Sequence, residues 1–120
     1  MSAHRNALSK RLRDLGVVER AWPGRDDGFA SLLFGGKEFA HFHTECELDI
    51  RLGKDVIKRE RLVHPADSKV HPDRSRSSPW YEMKVTSAAD VDEAVRLVQI
   101  AIQGLRGKAA SPGTRNRQPV

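Results

Sequence analysis

The segment CELDIRL, residues 46–52, alternates without a break: Cys46, Leu48, Ile50 and Leu52 fall on one side of an extended chain, and Glu47, Asp49 and Arg51 on the other. Successive side chains of a strand point to opposite faces, so this pattern predicts a strand with one buried and one polar face. It constrains its neighbour as well, because a one-residue slip in pairing would carry every side chain to the wrong face. The preceding block, KEFAHF followed by His43, pairs sensibly in one way only. A loop of Thr44, Glu45 and Cys46 sets His43 opposite Glu47, His41 opposite Asp49 and Phe39 opposite Arg51, while Phe42 meets Leu48 and Ala40 meets Ile50. A two-residue loop would drive Phe42 against Glu47 and forfeit roughly 1.5–3 kcal/mol of burial. The register therefore predicts that His41, His43, Glu47, Asp49 and Arg51 share one open sheet face. On that face Asp49 is expected to be solvated, its removal costing less than about 1 kcal/mol.

Around this pair the remaining elements follow from period and punctuation. Leu8, Leu12 and Leu15 recur at helical spacing before Gly16, which predicts an amphipathic first helix over residues 2–15. The stretch VVERAWPGRDDG reads as a connector with Trp22 tucked against the core. FASLLF and KEFAHF, split by Gly35-Gly36, form a hairpin. KDVIKRERLV fits a short helix, and residues 64–79, with three prolines and four serines, fit a long surface loop of the kind that is often functional. WYEMKV alternates as a further strand, placing Trp80 and Glu82 on the polar side. Ser87 and Asp90 stand at capping-box spacing ahead of Val91, Val95, Val98, Ile102 and Leu105, a helix expected to end at Gly107. The result is an α+β domain over residues 1–106: an antiparallel sheet of about four strands, with N-terminal, short middle and long C-terminal helices packed on one face. Residues 107–120, rich in Gly, Pro and Ser, are expected to be a disordered basic tail.

Charge and cysteine content restrict the function classes. The single Cys46 allows no internal disulfide and no paired-cysteine zinc site, and with no apolar leader or span the expected setting is the cytoplasm, with no membrane partner. The formal net charge is +5, of which the tail supplies three through Lys108, Arg115 and Arg117. Six basic residues against two acidic ones in residues 1–25 leave sequence-nonspecific nucleic-acid binding as an alternative partner class. No nucleophile elbow, phosphate loop or dinucleotide fingerprint is present.

Chemistry therefore rests on the histidines. One reading is a solvated sheet face with weak cross-strand pairs. A second is a metal site in which His41, His43 and Glu47 supply two nitrogens and an oxygen to a divalent ion. That spacing is similar to the first motif of cupins, running from Gly35 through His41, His43 and Glu47 to Gly53. The leading reading is a small-molecule pocket between the open face and the residue 64–79 loop, with no organic cofactor. There His41, His43, His71 and Asp49 are the catalytic candidates, and Trp80, Arg51, Phe39 and Glu82 the substrate-binding ones.

The blocks WPG (22–24), FGGKEFAHFH (34–43), ELDIRL (47–52), HPDRSRSSPWYEMKV (71–85) and ADVDEAVRLVQIAI (89–102), in this order, resemble the small bacterial domains of the luciferase family, which is related to fungal luciferase. The resemblance places the family's His-x-His on His41 and His43, its strand acid on Asp49, its loop histidine on His71 and its aromatic on Trp80. For fungal members it implies oxygenation of a pyrone luciferin without a bound organic cofactor. A second likeness, to double-wing DNA-binding domains, lies in a glycine-bounded strand pair, a basic loop and a closing helix.

Overall fold

Two consecutive glycines with positive φ, Gly35 at 60° and Gly36 at 81°, close the first predicted hairpin. This is the backbone that a tight turn between right-twisted strands requires and that residues with a Cβ adopt at a cost. The computed structural model describes residues 3–62 and 79–110, with side chains through residue 107. In chain order the elements are α1 (Ala3–Asp14), β1 (Val18–Ala21), β2 (Ala30–Phe34), β3 (Lys37–Phe42), β4 (Glu47–Arg51), α2 (Lys54–Arg59), β5 (Trp80–Lys84) and α3 (Ala88–Ala110). The strands form one antiparallel meander in the order β1-β2-β3-β4-β5.

The sheet has five strands, one more than the sequence predicts. The added strand, β1, lies in the stretch read as a connector; it is four residues long and its side chains are mostly exposed, so it carries no apolar alternation. Its pairing with β2 defines it. Two helices differ from expectation in length. The short α2 stops after Arg59, where Arg61 takes a left-handed φ of 56°, and α3 runs through Gly107 to Ala110. Residues 111–120, the rest of the predicted tail, lie outside the described residues.

The apolar residues of the strands close onto α1 and α3. Ala30, Leu32, Ala40, Phe42, Leu48, Ile50 and Met83 join Leu8 and Leu12 of α1 and Val91, Ala94, Leu97, Val98 and Ile102 of α3 in one core. The predicted β3–β4 register holds: Ala40 pairs with Ile50, His41 with Asp49 and Phe42 with Leu48, and the His43 amide donates to the Glu47 carbonyl at 2.8 Å. Ser87 caps α3 as its spacing predicts, accepting from the Asp90 amide at 3.1 Å, while the Asp90 carboxylate accepts from the Thr86 amide at 3.0 Å. Among the described residues no helix is long and apolar enough to cross a membrane.

Arg5 is the exception to an apolar core. It is 2% exposed, and its guanidinium lies 3.5 Å from the centre of the Phe42 ring. It donates to the Gly28 carbonyl at 2.9 Å, to the Thr44 carbonyl at 3.4 Å and to Glu19 at 3.1 Å, and Glu19 also accepts from Ser9 at 2.7 Å. One cation thus ties α1 to β1 and to the two loops at one end of the sheet. Those loops touch: a Cβ on Gly28, whose φ is +90°, would stand 2.5 Å from the Glu45 nitrogen.

Candidate functional site

The sheet face turned away from α1 and α3 carries a continuous row of polar side chains. Register places Arg20 beside Ser31, Ser31 beside His41, His41 beside Asp49 and Asp49 beside Glu82. Ser31, Asp49 and Glu82 are buried, Asp49 completely. This corrects the expectation of a solvated Asp49. Alternation gives the face a side chain takes and says nothing of what stands over that face.

At the centre of the row two imidazoles share one carboxylate oxygen. His41 Nε2 is 3.1 Å and His43 Nε2 3.5 Å from Asp49 Oδ2. An ionised carboxylate only accepts, so an ionised Asp49 would put the proton of that hydrogen bond on His41 Nε2. Glu38 Oε2 lies 3.7 Å from His41 Nδ1. His41, His43 and Asp49 each offer one ligating atom, and these atoms lie within 4.8 Å of one another.

Aromatic rings surround this cluster. His41 stacks on Phe29 at a 5.5 Å centroid distance, meets His43 at 5.0 Å and leans on Trp80 at 5.2 Å. Phe29 also meets His43 edge-on at 6.0 Å and Trp22 at 5.8 Å. The Trp22 indole donates to Ser31 Oγ at 2.9 Å and is half exposed, so it stands at the polar row and is not tucked into the core.

A strand irregularity shapes the cluster. The β2–β3 register shifts between Leu32, which pairs with Ala40, and Leu33, which pairs with Glu38, so Phe39 is the extra residue of a β-bulge. Bulges break strict alternation and re-aim side chains. Phe39 accordingly joins the hydrophobic core at 2% exposure instead of lining the polar face, which corrects its placement as a substrate-binding residue. The same bulge brings Glu38 beside His41.

Of the other predicted site residues, Trp80 and Glu82 occupy the expected face, and Arg51 pairs with Trp80 while remaining exposed. Glu47, the predicted third metal ligand, accepts from Thr44 Oγ1 at 3.0 Å; the group that converges is His41, His43 and Asp49. His71 and nearly all of the residue 64–79 loop lie outside the described residues. Trp22, Phe29 and Ser31 escaped the sequence reading because no alternation or motif links the β1–β2 connection to His41; the WPG block was the one available signal. Three of the six basic residues near the N-terminus are engaged internally: Arg5 as described, Arg11 with Asp92 and Arg25 with Asp27.

No curated protein and no solved structure matches the chain. The family model described as the Luciferase domain matches residues 36–101, a span that runs from the first hairpin turn into α3 and contains His41, His43, Asp49, Trp80 and Glu82. That span is more than half of the chain, and with it the protein belongs to the luciferase domain family.

Proposed function

We propose that the protein binds a small planar molecule on the polar face of its sheet, against the rings of Phe29, His41 and Trp80, with the His41–His43–Asp49 cluster meeting the molecule's oxygen substituents. One observation carries this reading: a fully buried carboxylate is shared by two imidazoles inside a ring of aromatic side chains. Burying an ionised carboxylate costs several kcal/mol unless it is hydrogen-bonded, and a fold that needed only stability would have placed an apolar residue there. Asp49 fixes the tautomer and direction of His41, which leaves that imidazole placed to take a proton from an acidic hydroxyl of the bound ring. Family membership supports the same class of ligand, since the fungal relatives' pyrone is a planar oxygenated ring.

The two tryptophans of the chain, Trp22 and Trp80, both stand at this site, so intrinsic fluorescence reports on it directly. Titration with a panel of hydroxylated pyrones and hydroxybenzoates is expected to give saturable quenching, reduced at least tenfold in apparent affinity by His41→Ala. The absence of saturable quenching by every member up to about 1 mM, an affinity of roughly 4 kcal/mol, overturns the proposal.

A further inference from the structure

We infer that His41, His43 and Asp49 form a divalent transition-metal site with Glu38 as its outer support, a deepening of the ligand-binding reading above that names what can hold the polar end of the ligand. The first observation is geometric. Nitrogen and oxygen ligands about 2.1 Å from a zinc-like ion stand about 3.4 Å apart on the edges of a tetrahedron, and about 3.0 Å apart at neighbouring corners of an octahedron. The two measured edges, from Asp49 Oδ2 to His41 Nε2 and to His43 Nε2, are 3.1 and 3.5 Å. All three ligating atoms lie within 4.8 Å of one another. Both edges from Asp49 thus match the spacing of ligands around one ion, and the group as a whole is compact enough to converge on one after the rings turn toward it.

The second observation is the outer partner. A histidine that binds metal through one nitrogen carries its proton on the other and commonly gives it to a carboxylate, which fixes the ring and raises its basicity. Coordination through Nε2 moves the His41 proton to Nδ1, and Glu38 Oε2 stands 3.7 Å from that atom. Glu38 reaches this position only because the bulge at Phe39 breaks alternation. One backbone irregularity thus supplies the outer carboxylate while sending Phe39 to the core.

Two neutral imidazoles and one carboxylate select zinc, iron(II), cobalt(II) or manganese(II) over calcium and magnesium, which prefer all-oxygen shells. Three protein ligands leave at least one coordination position for an oxygen of a bound molecule. A cation bound there would polarise that oxygen and favour loss of a hydroxyl proton from it.

The test uses the full chain, stripped with chelator and then titrated with cobalt(II), whose visible absorption reports coordination; zinc(II) uptake is measured by equilibrium dialysis. One equivalent is expected, with at least a tenfold loss of affinity in Asp49→Asn and in His43→Gln, a several-fold loss in Glu38→Ala and no change in Glu47→Gln. Circular dichroism of each variant verifies that it is folded. Uptake below about a tenth of an equivalent, or undiminished uptake by the His41→Gln/His43→Gln double variant, overturns the inference. Fluorescence titration of the stripped and of the zinc-loaded protein with the ring panel is read separately. Cobalt binding without quenching keeps the metal site and removes the small-molecule reading, and quenching without cobalt binding does the reverse.

Discussion

Arg5→Ala should be among the most damaging single substitutions in this chain, although Arg5 lies on the first helix, where basic residues are usually surface decoration. Its guanidinium is enclosed between the Phe42 ring, the Glu19 carboxylate and the carbonyls of Gly28 and Thr44. Truncation empties a buried site against Phe42 and leaves the partly exposed Glu19 with only Ser9 among these contacts, changes that together cost about 3–5 kcal/mol. For a domain whose whole stability is of order 5–15 kcal/mol, this is a fifth or more of the total. Equilibrium urea unfolding followed by tryptophan fluorescence reads it as a midpoint lowered by about 2 M, taking a slope of roughly 1–3 kcal/mol per M. Arg5→Lys should recover less than half of the loss, because an ammonium cannot lie flat on Phe42 while serving three acceptors. A loss below about 1 kcal/mol for Arg5→Ala would refute the claim that this cation ties the helix to the two loops.

Ile50→Ala, at a fully buried core position, should cost about 2–5 kcal/mol in the same assay, and Asp49→Ala, which removes an acceptor shared by two imidazoles, about 1.5–3 kcal/mol. Ser87→Ala should cost about 1 kcal/mol through loss of the α3 cap. The Thr86 amide, with help from Ser87, holds the Asp90 carboxyl below its ordinary value. Its folded value being depressed, Asp90 contributes stability above the unfolded pKa of about 3.9, and that contribution is lost as pH falls through the folded value. A carboxyl-detected NMR titration should place its midpoint below that of an unfolded reference peptide, and a coincident midpoint would contradict the cap.

Much of this fold could be read from residues whose burial penalises every alternative. Phe42 alone set the β3–β4 register, since the competing loop length put a phenyl ring against Glu47, and Ser87 with Asp90 marked the start of α3 because their spacing serves the orphan amides of a first helical turn. What stayed hidden lacked such a penalty. Strand β1 is short and largely exposed, so only its hydrogen bonds to β2 identify it. The bulge at Phe39 inserts one residue without any glycine or proline to announce it, and alternation carried through it sends Phe39 to the wrong face. The histidines and Asp49 were legible as a group, whereas Trp22, Phe29 and Ser31 reach them through the path of a loop, which no local pattern encodes.

The convergence of His41 and His43 on Asp49 is the claim on which the site depends, and long-range ¹H–¹⁵N NMR of the imidazoles in chelator-treated protein tests it without any ligand. The two ring systems are assigned from His41→Gln and His43→Gln. The structure predicts a protonated Nε2 on His41 and displacement of both sets of ring nitrogen resonances when Asp49→Asn removes the shared acceptor. Resonances of His41 and His43 that stay where they were in Asp49→Asn would contradict it.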